Sequence, residues 1–295
     1  MQRMRKRTNL LWALLACVLL AAALSPAAPA LAEDDEDLEI SIIELTEEQN
    51  PDESELLWSF PVALDEMVPE YVQLANKHML LSKDYVPSSL VTVKQRKADK
   101  NGVNTNGGVL KATGAAMQLQ DVCLEALVAM SEAARADGYN LYLKSAYRSW
   151  KTQNTMYYNR LKKNNGKDDG WVSKPGASDH QTGLGCDVVP RSWRDKSMNE
   201  KMASAPECQW MAEHCQEFGF IIRYPEDKQD VTEINTEPWH LRFVGIPVAT
   251  YIMSNGLCLE EFTWLLQDAI EDFIARGGDS SWVEAYIQKP TDQQN

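Results

Sequence analysis

Two histidines and an aspartate in this 295-residue chain have the types and spacing to hold a metal ion. His180 and Asp187 lie seven residues apart in "SDHQTGLGCD" (178–187), around two glycines. A second stretch, "EPWHLRFVG" (237–245), supplies Glu237, Trp239 and His240. The chain has only four histidines, so two in such company carry weight. A histidine and an aspartate at that spacing, taken alone, are those of a polar turn; Glu237 and His240 in a motif of their own tip the balance toward a metal site. Catalytic zinc takes three protein ligands from His, Asp or Glu and leaves the fourth position to water. Such a water has its pKa lowered to about 7. A neighbouring carboxylate can then take its proton and later deliver it to a leaving amine.

The elements that must position these groups can be read from periodicity. Leu119, Cys123, Leu127, Met130 and Ala134 recur at helical spacing, so 115–138 reads as a helix ended by Gly138. Residues 139–147 alternate as a strand, and 149–166 form an amphipathic helix. The tail of the first motif, 184–189, reads as a buried strand. A helix at 207–218, a strand at 220–224, a last strand at 238–245 and helices at 246–256 and 259–278 follow. Residues 57–94 read as irregular with short helical turns, broken by Pro61, Pro69 and Pro87, and 101–108 as a flexible loop. Short strands between helices, without strict βαβ alternation, predict an α+β domain: a small antiparallel sheet with flanking helices and the metal site on the sheet. On a strand, Glu237 and Trp239 face opposite to Pro238 and His240, which sets Glu237 beside the metal rather than on it, unless Pro238 distorts the alternation. By the same rule Cys186 points away from Asp187 and is a packed core thiol. His78 and His214 belong to neither motif. His214 is expected to face solvent from its helix, and His78 to be structural.

"SDHQTGLGCDVV" and "EPWHLRFVG" closely resemble the paired signatures S-x-H-x-x-G-x-A-x-D and E-x-W-H-x-R of VanY-like D-alanyl-D-alanine carboxypeptidases, zinc metallopeptidases that trim cell-wall peptides. "SAYRS" (145–149) matches the Ser-x-Tyr-Arg element of that family, and "NKHMLLSKDYVP" (76–87) is similar to the segment that opens such domains. The resemblance runs from about residue 74 to 266. It implies one zinc per chain held by His180, Asp187 and His240, with Glu237 as the general base. It also implies that Arg148 holds the terminal carboxylate of the substrate or steadies the oxyanion, and that Ser178 and Tyr147 line the substrate pocket. Trp239, between Glu237 and His240, is expected to buttress the site. The sequence departs from the family at Gly185, where alanine is usual, and at Cys186. The activity implied is removal of a C-terminal D-alanine from a peptidoglycan stem peptide. An endopeptidase or L,D-carboxypeptidase on the same scaffold, and a wall-binding module without turnover, are the competing functions.

The remaining chain bounds where this chemistry takes place. "MQRMRKR" and an apolar run ending near "ALA" (30–32) read as a secretory signal peptide over 1–32. The run from Leu10 to Leu24 is short for a retained membrane anchor, and it continues well past Cys17, against a lipoprotein signal. The protein is therefore expected outside the membrane, in the periplasm, cell envelope or medium, with no stable span after cleavage. Cleavage carries four positive charges away from a net −14, leaving −18. Such a chain is not expected to bind nucleic acid, which needs a basic surface. The expected organisation is an acidic linker and lead-in at 33–73, the zinc peptidase domain at 74–266, and a helical extension and tail at 267–295. Five of the six cysteines remain after cleavage, an odd number. If the helix at 207–218 is continuous, Cys208 and Cys215 lie about 10.5 Å apart along it, beyond the roughly 7 Å that a disulfide tolerates.

Overall fold

Strand alternation at 141–145, with Leu141 and Leu143 inward, and the unbroken apolar character of the following strands build one twisted sheet. A computed structural model describes residues 57–94, 110–114 and 116–291. In chain order its elements are α1 (Pro69–Val72), β1 (Leu90–Thr92), β2 (Gln118–Gln120), α2 (Asp121–Ala136), β3 (Leu141–Ser145), α3 (Trp150–Lys163) and β4 (Gly185–Pro190). They continue with α4 (Pro206–His214), β5 (Phe220–Tyr224), α5 (Gln229–Thr232), β6 (Glu237–Phe243), α6 (Ile246–Ser254) and α7 (Leu259–Ala275). The sheet is antiparallel, in the order β3-β4-β6-β5, and β1 and β2 pair separately. The α+β class with a small antiparallel sheet is therefore observed. The short β1–β2 pair was not expected; Gln118–Gln120 lies where the helix was expected to begin, and α2 starts at Asp121.

Every residue of the two central strands, β4 and β6, is buried. Elements therefore cover the sheet on both faces. On one face Cys186 and Leu241 pack with Cys123, Leu127 and Met130 of α2 and Met211 of α4. On the other, Ile221 and Val244 pack with Phe262, Leu266 and Phe273 of α7. Burying each such side chain stabilises the fold by about 1.5–3 kcal/mol. This second core also takes Val62, Met67 and Val72 from before residue 74 and Ile270, Phe273 and Tyr286 from beyond residue 266. The domain accordingly reaches past the 74–266 span on both sides, because apolar side chains there cover the sheet face that the motif-bearing segment leaves open. The expected signal peptide, most of the acidic linker and the end of the tail lie outside the described residues. Among the described residues no helix is long and apolar enough to cross a membrane.

The register of the central pair places the site. Asp187 sits opposite His240 and Gly185 opposite Arg242, with Cys186 and Leu241 paired between them. Asp187 and His240 therefore share a face, and Cys186 points into the other layer. Cys123, Cys186, Cys208, Cys215 and Cys258 are all buried free thiols. Cys208 and Cys215 are unbridged, although the expected continuous helix ends at His214 and Cys215 opens a separate tight turn.

Candidate metal centre

His180 is carried by a single tight turn, Asp179–Thr182, between Ser178 and β4. Gly183 ends the turn at φ 69°, where an added Cβ would meet Leu90 Cδ2 at 2.9 Å. Glycine is thus required for the chain to enter β4 at this point. The turn is anchored by charge. Asp179 is fully buried and accepts from Arg223 Nε at 2.6 Å and from Arg242 Nη1. Arg223 also donates to both carboxylate oxygens of Glu260 on α7, at 2.8 and 2.7 Å. Arg242 donates to the carbonyls of Tyr71 and Gln73. Burial works against the Asp179 charge, but the two guanidinium groups outweigh it and hold the carboxyl down to about 2. Every member of this cluster is satisfied, as buried charges must be.

The ring of His180 is oriented by Nδ1, which lies 2.8 Å from the carbonyl of Ala146. A carbonyl can only accept, so the proton is on Nδ1 and the lone pair of Nε2 faces inward. There it meets Asp187 Oδ2 at 3.4 Å. His240 Nδ1 lies 3.2 Å from Asp187 Oδ1. The three donor atoms fall within 4.8 Å of one another. The two contacts use different oxygens of Asp187, so its carboxylate faces both imidazoles. Asp187 Oδ1 and His240 Nε2 are buried without a hydrogen-bond partner among the described residues.

Electrostatics describe a place for a cation. Burial, with Arg148 nearby, lowers His180 to about 4, so its imidazole is neutral and able to donate a lone pair. Burial also disfavours charge on His240, yet the Asp187 and Glu237 carboxylates overcome it and push the ring up to about 10. Asp187 is held well below the usual carboxylate range; burial opposes its charge and the two histidines outweigh that. A proton on His240 thus occupies ground between carboxylates that a metal ion would fill, and the residues fit a bound metal.

Glu237 begins β6, with Oε2 3.3 Å from His240 Nδ1. Strict alternation would put it on the opposite face. Pro238 and a register shift between Ile222 and Tyr224 of β5 break the pattern, and Glu237 reaches the His240 side. Burial raises its pKa against the pull of His240, the direction suited to a proton-transferring carboxyl. Arg148 follows β3. Its guanidinium donates to Gln153 Oε1 at 2.7 Å and to Ser145 Oγ at 3.2 Å. Both partners are neutral, so the cation has no carboxylate of its own among the described residues.

His180, Asp187, His240, Glu237 and Arg148 all line one cavity of about 410 Å³, and so do Ser178 and Trp239. Tyr147 does not line it: its side chain lies near Tyr85, and its backbone N–H bonds to Gln118 O at 2.8 Å. His78 is exposed, 3.8 Å from Glu233. His214 stacks on Trp210 at 4.8 Å between ring centres and is half-buried rather than free in solvent. Sequence reasoning missed Gln153, which holds Arg148, and Trp171, which stacks on Trp239; Ser145, the other partner of Arg148, stood in the SAYRS element without an assigned role. It also missed Tyr224, whose ring packs against His240. Asp179 and Arg242 stood inside the two motifs, so their spacing signal was present; Arg223 and Glu260 carried none.

The VanY family model, described as D-alanyl-D-alanine carboxypeptidase, matches residues 116–246. A bifunctional D-Ala-D-Ala dipeptidase and D-Ala-D-Ala carboxypeptidase, VanXYC of Enterococcus gallinarum, is 33% identical over 136 residues, covering 45% of this chain and 72% of the relative. Three other relatives, from Bacillus subtilis (strain 168), Enterococcus faecalis and Enterococcus faecium, are spanned over 65%, 50% and 41% of their length. The solved LdcB LD-carboxypeptidase is 34% identical, with a TM-score of 0.55, over 66% of this chain and 86% of that one. A variant of the vancomycin resistance D,D-pentapeptidase VanY, solved in complex with Zn(II), is 28% identical with a TM-score of 0.50, over 65% of this chain and 98% of that one. With the match over its motif-bearing segment and a shared fold around the His-Asp-His site, the chain belongs to the VanY family of D-alanyl-D-alanine carboxypeptidases.

Proposed function

We propose that this protein is a zinc-dependent D,D-carboxypeptidase that removes the C-terminal D-alanine of a peptidoglycan stem peptide. The observation that carries the reading is the convergence of three metal donors, a buried Glu237 and an unpaired Arg148 cation on one cavity. His180, Asp187 and His240 hold one zinc per chain, supported by the Zn(II) bound in the related VanY structure. Zinc, when bound, supplies a Lewis acid that lowers the pKa of water and polarises a carbonyl. Glu237 takes the proton of the attacking water and returns it to the leaving amine; its raised pKa suits both steps. Arg148 binds the terminal carboxylate through the planar fork of its guanidinium. Gln153 and Ser145 hold that fork in place. Ser178 and Trp239 form cavity wall.

An endopeptidase would leave the Arg148 cation facing an uncharged amide, which favours the carboxypeptidase reading over it. A second reading, an L,D-carboxypeptidase, is favoured by the 34% identity to LdcB. A wall-binding module without turnover would have no use for a buried Glu237 at 3.3 Å from His240. Residues 1–32 serve as a secretory signal peptide and the enzyme works at the cell envelope; the net charge of −14 for the whole chain, more negative still after cleavage, argues against nucleic acid as a partner. The test is incubation of the purified protein with stem peptides that differ only in the last residue, followed by product masses. Loss of one D-alanine is expected; loss of a residue next to an L-centre only, or cleavage inside the stem, would replace the reading.

A further inference from the structure

One wall of the cavity is a strap of chain, residues 168–173, tied down at several places by polar contacts. Arg160, two turns along α3 from Gln153, donates to Asp169 Oδ2 through Nε at 2.9 Å and Nη2 at 2.6 Å. Asp169 Oδ1 accepts from the backbone N–H of Trp171 at 3.4 Å. From the other side, Asn235 donates to Asp169 O at 2.7 Å and to Gly170 O at 3.0 Å, two residues before Glu237 opens β6. Gly170 has φ 74° and an added Cβ would meet the Asn235 side chain at 3.1 Å, so the strap fits this anchor only with glycine. The end of the strap is held by Gln153 Nε2, which donates to Ser173 O at 2.6 Å.

These ties lay the indole of Trp171 nearly parallel to Trp239, at 10° and 6.4 Å between ring centres. They also join the strap to the carboxylate-reading group, since Gln153 grips Arg148 with its carbonyl oxygen and Ser173 with its amide. Arg148, Trp171 and Val172 line the same cavity, and through Gln153 the group that would hold the carboxylate is tied to the strap that carries Trp171. We propose that Trp171, fixed by the Arg160–Asp169–Asn235 ties, is the wall that limits the size of the C-terminal residue accepted. Trp171 is a specificity-determining residue in this account, and Arg160 and Asp169 are positioning residues that act through it. The inference rests on the carboxypeptidase reading and names what sets its substrate.

The experiment compares kcat/KM on two stem peptides identical except for a terminal D-alanine or D-leucine, for the parent, Trp171→Ala and Asp169→Asn. A single methylene in an apolar pocket shifts discrimination by about 10- to 200-fold. Trp171→Ala is expected to raise the D-leucine to D-alanine ratio at least tenfold with zinc content unchanged. Asp169→Asn loosens the strap and is expected to move the ratio in the same direction by less; it decides the matter if Trp171→Ala fails to fold. A ratio within about twofold of the parent in the folded variants overturns the wall while leaving the carboxypeptidase reading intact. A parent inactive on the D-alanine peptide overturns that reading and the wall with it.

Discussion

Replacing Gly185 by alanine puts a methyl group where the main chain of Asp179 already lies. The added Cβ would stand 2.8 Å from both the carbonyl carbon and the Cβ of Asp179, where ordinary contacts begin at 3.4 Å. The turn must therefore retreat by about 0.6 Å, the difference between those distances, or β4 must bend away. Asp179 cannot yield as a flexible side chain would, because Arg223 and Arg242 pin it from the interior. His180 is the next residue and moves with it. Metal–ligand distances tolerate about 0.2 Å, so the displacement exceeds what the site can absorb unstrained. Overpacking of this kind costs about 1–3 kcal/mol, and lost support of a ligand weakens metal binding by about 10- to 100-fold. Chelator competition should show Gly185→Ala binding zinc at least tenfold more weakly, with a melting temperature several degrees lower. A variant with parental zinc affinity and melting temperature would refute the close seating of the turn.

Arg148→Lys should lower kcat/KM by about 10- to 100-fold on peptides with a free terminus, since a charged hydrogen bond is worth about 1.5–3 kcal/mol. The loss should be smaller on amidated peptides, and equal losses would show that Arg148 does not read the carboxylate. Asp179 has a folded pKa of about 2 against an ordinary 3.8. Its depressed value stabilises the fold above pH 3.8, by about 2 kcal/mol, and that stability is lost as pH falls toward 2. Urea unfolding of the parent at pH 5 and pH 2 should show the drop, and a flat profile would contradict it. Cys208, Cys215 and Cys258 are buried, and burial pushes their thiols up to about 12. They should resist a thiol reagent at pH 8 in the folded protein and react on unfolding; fast native labelling would show the core to be open.

Much of the fold was legible because its signals are local. The 220–224 strand and the helices at 246–254 and 259–275 follow from apolar periodicity and from Gly and Pro at their ends. The β1–β2 pair was not, since three-residue strands fall below any period, and Gln118–Gln120 continues into the helical pattern of α2. The metal donors were legible because His180, Asp187 and His240 stand in two spaced motifs. The face of Glu237 was not, since the shift opposite β5 depends on a partner strand that the motif does not contain. Tyr147 was assigned to the pocket from the resemblance of its motif, and a motif does not say which way a side chain turns once the strand has ended at Ser145. Arg223 and Glu260 are 37 residues apart and meet only in the folded protein, so no spacing could announce their pairing. Trp171 is likewise one of nine tryptophans until the strap brings it onto Trp239.

The division of labour between three metal donors and a separate proton-transferring carboxylate is tested most directly by Glu237→Gln, with zinc content and hydrolysis measured on the same sample. The amide keeps the size of the side chain but cannot take a proton from the attacking water, and general-base assistance is worth about 10²- to 10⁴-fold. Glu237 stands 3.3 Å from His240 Nδ1, outside the donor triad. Hydrolysis is expected to fall by at least about 10²-fold with zinc at the parental level. Zinc lost together with activity would make Glu237 a ligand, and activity within a few-fold of the parent would put the base elsewhere; either result contradicts the account.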